Sequence, residues 1–486
     1  MISSNRIAWI FRFLNCFIFL TASGVERPGV RSLLTTKGLD FVRKLALPII
    51  LKKLDKLEIS PFVGNIDFFV GNVNYRFDNI KLSKVKIPES HISVINGTGV
   101  SVEGTKIMIK MNELWSYKIS SWPFISDKGS ATVSGKEISL NIILGVSMDK
   151  KKELQISAKD CSLNIGNLDI NFRGGASFLY NLFMTLIKDP LKGQMEEIIC
   201  RTAIKTVNDE INATLKTIPD ETRIFNNTLI SDFEVLRSPQ FHENGIELDY
   251  KGEFINVKYP KTYPYKPEEL PPISNEVSKM LYMWVTAYTI NTLFYAVNQS
   301  ESQQNMVYSK DLPDSVPVTL NTNYFMLIAP PLYQKYPNKD MAFGVRGTAP
   351  CEVTLKPNDG SITLFGLITF YVILDDNTLV DCFTLNWIEL AHIDDVLIFR
   401  KDNNSYIGAK ISSKRTDISL KESQIGNFDL TLLQFTMDVL SQFIIARYIS
   451  PKAEEGFRLR IPKGFNLLNC DAEIGMNHLL ISTDLE

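Results

Sequence analysis

Residues 174–200 read GGASFLYNLFMTLIKDPLKGQMEEIIC. Leu179, Leu182, Phe183, Leu186 and Ile187 recur at helical spacing, and Met195, Ile198 and Ile199 extend the stripe. A helix kinked at Pro190 would therefore carry an apolar face about six turns long. Such a face must lie on something equally apolar, and the sequence upstream supplies it. From Ile59 to about Ile170 the chain alternates apolar and polar residues in short runs, such as ISVINGTGVSVEGTKIMIKM (92–111) and ATVSGKEISLNIILGVSM (131–148), with Gly, Asn and Asp at the breaks. This is the pattern of antiparallel strands and hairpins.

Before these strands, TTKGLDFVRKLALPIILKKLDKLEI (35–59) reads as a helix with Leu39, Val42, Leu45, Ile49 and Leu57 inward and Pro48 bending it. Strand-like sequence resumes after the second helix and runs to about Val257. Then KYPKTYPYKPEELPPI (258–273) places prolines at 260, 264, 267, 271 and 272, a stiff extended linker and a domain boundary. Beyond it the order repeats. A helix over 275–297 would put Val277, Leu281, Trp284, Val285 and Tyr288 on one face, and alternating strands fill 316–420. A last helix over 429–448 carries Leu433, Val439, Leu440, Phe443 and Ile444, and EIGMNHLLIST (473–483) closes the chain as a strand. The fold class is α+β, with one domain over 25–257 and another over 274–486.

Apolar residues at 45% and charged residues at 22% describe an ordered, globular chain. The net charge of −2 gives no reason to expect nucleic acid as a partner. It hides an asymmetry, since residues 25–220 carry 27 Lys/Arg against 21 Asp/Glu and residues 221–486 carry 23 against 33. A mildly basic half is either a solvated surface or one drawn to anionic headgroups. MISSNRIAWIFRFLNCFIFLTASG (1–24) has the basic lead, apolar run and small-residue end of a secretory signal peptide. No later segment approaches the roughly 18 apolar residues of a membrane span. The expected location is extracellular. There Cys161, Cys200, Cys351, Cys382 and Cys470 would form one or two disulfides with a thiol left over, and Asn96, Asn212, Asn226, Asn298 and Asn403 head sequons for N-glycosylation.

Candidate chemistry is sparse. His91, His242, His392 and His478 are scattered singly, with no Cys cluster beside them, so no metal site is expected. There is no Gly-x-Ser-x-Gly elbow, P-loop or Cys-x-x-Cys. The glycines of GTGVSVEG fall in strand-like sequence, and Asp375-Asp376 sits in the hairpin turn DDNT. Neither an enzyme nor a cofactor is indicated. What remains is apolar surface presented by helices to sheets. On pattern alone these helices either cover barrel cores or leave a gap that holds lipid, and pattern does not show a gap.

Several stretches resemble the family of bactericidal/permeability-increasing protein, lipopolysaccharide-binding protein and the phospholipid and cholesteryl ester transfer proteins. They are PGVRSLLTTKGLDFV (28–42), the Cys161 to Cys200 bracket around the second helix, the Pro-rich centre before SKMLYMWVTAYTINTLFYAV (278–297), SQIGNFDLTLLQFTMDVL (423–440) and GFNL (464–467). The resemblance covers about 450 residues. It implies an elongated boomerang of two similar helix-covered antiparallel β-barrels joined by a central β-sheet, each with an apolar pocket for a phospholipid's acyl chains. Placed on the apolar stripes, those pockets would be lined by Leu39, Val42, Leu45, Ile49, Leu179, Leu182, Phe183 and Leu186 in the first half. Val277, Leu281, Trp284, Leu433, Leu440 and Phe443 would line the second.

The resemblance also implies a Cys161–Cys200 disulfide. A Cys351–Cys382 bridge has no support from the family and rests only on the two residues flanking a strand pair, leaving Cys470 as the odd thiol. In the bactericidal members the tip of the first barrel is crowded with Lys and Arg. Here MNELWSYKISSWPFISDKGS (111–130) offers Lys118 and Lys128 against Glu113 and Asp127, together with Trp115, Trp122 and Phe124, which suit a membrane or lipoprotein surface. The implied function is a secreted lipid-binding and lipid-transfer protein whose partner is phospholipid or a related two-tailed lipid. The alternative is an innate-immune, antimicrobial protein that binds bacterial lipopolysaccharide.

Overall fold

The computed structural model describes residues 26–54, 58–68, 71–122, 124–149, 153–174, 177–212, 221–274, 276–298, 304–402, 404–459 and 466–486. Some side chains within these elements, Ile49 and residues 177–187 among them, lie outside what is described, as do residues 1–24, expected as a signal peptide, and Asn403.

The first half opens with strand β1 (Val30–Thr35) and helix α1 (Thr36–Leu54), which holds Pro48. Strands β2 (Phe62–Phe68), β3 (Gly71–Lys86), β4 (Gly99–Ile119), β5 (Ser126–Met148) and β6 (Leu154–Arg173) follow. Helix α2 (Ser177–Thr206) comes next. β3 to β6 pair antiparallel in sequence order, with β2 on β3 and the strand Glu89–Ile95 on β4. The strands are long because each must cross a curled sheet, and register shifts along β3–β4 and β4–β5 let them bend. α2 lies along β6. Leu191 and Met195 are fully buried on it, the Glu196 carboxylate accepts from the backbone N–H of Ile165 at 2.9 Å, and Cys200 is bonded to Cys161 of β6. The C-terminal part of the long helix, with Leu191, Met195, Ile198 and Ile199 inward, thus covers the half-barrel.

β1 belongs to neither half-barrel. It pairs with β7 (Gly245–Tyr250) on one side and β8 (Leu281–Thr286) on the other, in a six-stranded sheet at the molecule's centre. Residues 275–297 are therefore not one helix. The segment 281–286 is strand, and only Ala287–Asn298 (α3) is helical. LYMWVT fits both periods, but its β-branched and aromatic residues suit the slot between β1 and the last strand, and Trp284 and Thr286 are buried on alternate positions. Buried charges hold this sheet. Arg31 Nε lies 3.1 Å from Glu247 and 2.9 Å from Asp249, and Arg237 closes on the same two carboxylates at 2.8 and 2.6 Å. Arg31 also donates to the carbonyl of Pro271, and Leu270 packs with Leu33 and Trp284. The proline-rich segment is clamped onto the central sheet at this point rather than standing off as a spacer.

The second half repeats the plan with β9 (Asp340–Gly347), β10 (Asp359–Ile373), β11 (Leu379–Lys401), β12 (Asn404–Ser423) and helix α4 (Leu430–Ile444). Residues 316–339, expected as strand, instead form turns and a short helix, Pro330–Lys335. The interior is packed with rings. Phe370 lies 5.6 Å from Phe325 and from Phe343, and 4.8 Å from Phe383. The chain closes with β13 (Leu467–Gly475) and β14 (His478–Leu485), which return to the central sheet beside β8. The whole is a boomerang of two helix-covered, curled antiparallel half-barrels joined through that sheet.

Cys351 and Cys382 are free thiols, as is Cys470. The pairing of Cys351 with Cys382 fails on strand geometry. Glu352 pairs with Thr363 of β10, whereas Phe383 pairs with Phe370 seven residues along the same strand. At about 3.3 Å per residue that separates the cysteines by roughly 20 Å, against about 7 Å for bridged Cα atoms.

The Cys161–Cys200 bond spans 39 residues and stabilises by about 3–4 kcal/mol in the chain-entropy model. Peptide mapping without reduction should find this pair joined and the other three thiols free. Denaturant unfolding of Cys200→Ser should show a stability loss of that size, and an unchanged midpoint would contradict it.

Candidate functional site

The β4–β5 hairpin ends at the tip of the first half-barrel. Along β4 the odd residues from Ile107 to Ile119 are buried and the even ones largely exposed. That alternation decides the fate of the aromatic residues. Trp115 is 5% exposed, stacks on Tyr117, meets Phe172 edge-on at 5.5 Å and donates Nε1–H to the carbonyl of Ser130. It is core, so the expectation that it touches a membrane is corrected. Trp122 and Phe124, beyond the strand's end, are 83% and 63% exposed, with Ile125 and Val63 also open to solvent.

The loop is built to present them. Phe124 takes a left-handed backbone at φ 54°, a conformation that costs a bulky residue on the order of 1–3 kcal/mol. Its N–H bonds to Ser121 O, Ser120 N–H bonds to Asn72 O, and the Asn74 amide donates to Ser120 Oγ. Gly71, at φ 112°, lies so close beneath Ser121 that a Cβ there would overlap the hydroxyl.

Beside these apolar residues lies an open groove of about 1040 Å³, with Asn65, Asn74, Tyr75 and Tyr117 in its wall. Its charged lining is Arg76, Lys118, Lys128 and Asp127. Arg76 was not visible as a tip residue because it lies some 40 positions upstream, and only the pairing of Arg76 with Ser116 brings it there. Glu113, counted by sequence against the lysines, is not at the surface. It is 4% exposed, faces into the half-barrel and has no hydrogen-bond partner for either oxygen among the described residues. Burial pushes its carboxyl up to about 8. With Arg76 paired to Asp78 at 2.6 Å and Glu113 turned inward, the tip is less acidic than its local sequence suggests.

On α1, Leu39 is buried, Val42 is half-buried and Leu45 is 43% exposed. Ile49, Leu179, Leu182, Phe183 and Leu186 lie outside the described side chains. Leu433, Leu440 and Phe443 of α4 are buried together in the second half-barrel's core. Trp284, with Val277 against it, packs in the central cluster instead, and Leu281 sits half-buried on β8. Asn96 and Asn226 head exposed turns, Asn226 at φ 52°. Asn298 is half-buried at the end of α3. The amide of Asn212 is spent, because it donates to the carbonyls of Ile156 and Asn208 while its oxygen accepts from Ile156 N–H. A glycan on that nitrogen would break this pairing, so Asn212 is a poor acceptor in the folded chain.

Two family signatures cover most of the chain. The N-terminal domain of the LBP / BPI / CETP family matches residues 38–217, and its C-terminal domain matches 223–486. The chain belongs to the LBP/BPI/CETP family. Among similar proteins, bactericidal permeability-increasing protein of Sebastes schlegelii is 25% identical over 462 residues, covering 94% of this chain and 95% of that one. Lipopolysaccharide-binding protein of Mus musculus is 24% identical over 475 residues, covering 97% and 96%. A crystal structure of lipopolysaccharide binding protein superposes with a TM-score of 0.62 at 22% identity, over 95% of this chain and 99% of that one. That likeness establishes the two-half-barrel fold for this member of the LBP/BPI/CETP family.

Glu113 gives the family fold of this chain a pH signature. Unfolded, its carboxyl ionises near 4.5; folded, near 8. Between those values the folded state holds a proton that the unfolded state has lost, so stability contributed by this group falls as pH rises through the window. Glu113→Gln should therefore be more stable than wild type at pH 8.5 and no more stable at pH 4, by denaturant titration at each pH. The same difference at both pH values would contradict the assignment.

Proposed function

We propose that the chain is a secreted carrier of phospholipid or a related two-tailed lipid, whose acyl chains lie between the half-barrel and its covering helices. Each CH₂ removed from water contributes about 0.8 kcal/mol, so no catalytic group is needed to hold such a ligand. The observation that carries this reading is the tip, where strain and close packing keep Trp122 and Phe124 exposed beside a polar groove. An aromatic pair next to cations suits the interfacial layer of a membrane or lipoprotein particle. Lipid would then pass between that surface and the apolar interior. Membership of the family supports the same reading.

One observation favours the second reading, capture of bacterial lipopolysaccharide in an innate-immune role. Lys118 and Lys128 line the groove against Asp127, beside Arg76, whose guanidinium is held by Asp78 at 2.6 Å, and anionic phosphate groups would be attracted to the lysines. Two of the relatives carry names that state such binding or bactericidal action. Transfer and capture share the tip and differ in the headgroup it accepts.

Two variants test the carrier reading. Trp122→Ala with Phe124→Ala should weaken binding to phosphatidylcholine vesicles while leaving lipid already loaded in the protein in place. Equal vesicle binding would remove the tip from the account. Leu45→Trp, at a partly open position on α1, should slow transfer of a fluorescent phosphatidylcholine between vesicles by about tenfold, ~1.4 kcal/mol, with little change in melting temperature. An unchanged transfer rate would show that Leu45 faces no lipid.

A further inference from the structure

Glu113 has no role in the fold or in the carrier reading, and its surroundings leave it in need of one. The inward series of β4 runs Ile107, Ile109, Met111, Glu113, Trp115, Tyr117, Ile119, with a single ionisable carboxyl in an otherwise apolar and aromatic file. A buried carboxyl without a partner is among the costliest groups a strand can turn inward. The other buried glutamates have partners: Glu247 meets Arg31 and Arg237, Glu253 meets Lys251 at 3.1 Å, and Glu389 of β11 receives the Thr416 hydroxyl at 2.7 Å.

The fold supplies Glu113 no donor across either ladder. Directly opposite on β5 is Ala131, which offers only a methyl group. On β3 the register jumps from Asp78↔Leu114 to Lys81↔Asn112, so Asn79 and Ile80 together oppose Glu113. Asn79 is exposed at φ 52° and Ile80 is the inward residue. This is a β-bulge, a device that re-aims side chains. Along β4 the neighbouring Trp115 N–H is already committed to the Ser130 carbonyl. A small side chain on one flank, a bulge on the other and a spent donor beside it leave the carboxyl facing the interior of the half-barrel.

We propose that Glu113 is a specificity residue for the bound lipid, hydrogen-bonding an uncharged oxygen, an ester carbonyl or a hydroxyl, on the part of the lipid that enters the first half-barrel. This rests on the carrier reading above. With its charge suppressed by burial, the carboxyl offers one O–H donor and one carbonyl acceptor. An ester carbonyl takes the first, and a chain hydroxyl can use both. A wholly hydrocarbon segment at that depth would leave the group unpaired, and a site of this kind rejects the ligand that lacks the matching oxygen.

The test offers delipidated full-length protein an equal mixture of three phosphatidylcholines: one with ester-linked chains, one with ether-linked chains, and one with ether-linked chains bearing a hydroxyl on one chain. Bound lipid is extracted and quantified by mass spectrometry. Wild type should take at least one of the carbonyl- or hydroxyl-bearing lipids over the plain ether by about tenfold, ~1.4 kcal/mol, and the two arms tell carbonyl from hydroxyl. Glu113→Met and Glu113→Leu should take up all three without preference while remaining at least as stable as wild type. Equal uptake by wild type, or a preference that survives in either variant, overturns the proposal alone. Failure of wild type to take up any of the three overturns the carrier reading with it.

Discussion

The structure turns on the parity of its longest strands. β4 is 21 residues long and β5 is 23, and in a curled sheet covered by a helix every second side chain is committed to the interior. A slip of one residue would bring Leu114, Ser116 and Lys118 inward and expel Met111, Trp115 and Tyr117. The cluster containing Phe62, Phe77, Trp115, Ile138, Leu191 and Met195 fixes the register. Once it is fixed, the positions of Trp122, Phe124 and Lys118 at the tip and of Glu113 inside follow without further adjustment.

The central sheet turns two such half-barrels into one molecule. β1, the first strand of the described residues, is flanked by a strand from just before the proline-rich segment and one from just after it. Arg31 and the half-exposed Arg237 share the buried carboxylates of Glu247 and Asp249 there. Removing one partner would strand the others, which makes such a cluster costly to open even where its net contribution to stability is modest. Tyr263 extends the contact from the proline-rich segment, lying edge-on to Tyr288 and Tyr295 of α3.

Much of this was legible in the sequence, and the exceptions share physical causes. The apolar stripe of residues 179–199 fits a single long helix over a sheet, and alternation over 59–170 fits the strands. LYMWVT satisfies both the helical and the strand period, and only the vacancy between β1 and β14 decides for strand. Trp115 and Trp122 are seven residues apart with similar local composition, but one lies within the alternating register and the other beyond its end. Arg76 was missed and Glu113 was misplaced for the same reason. Local sequence does not reveal which residue a partner strand brings alongside, nor which face a bulge leaves inward. Cys351 and Cys382 looked like a strand-flanking pair until the seven-residue offset along β10 separated them.

The central claim is that the helix-covered interior of this chain holds lipid. Native mass spectrometry of the chain secreted from cultured cells tests it most directly. The account predicts a mass exceeding that of the polypeptide and its glycans by one or two lipids, lost on extraction with organic solvent and recovered in the extract as two-tailed lipid. A correctly folded, disulfide-bonded chain carrying no lipid, and taking none up from vesicles, would contradict it.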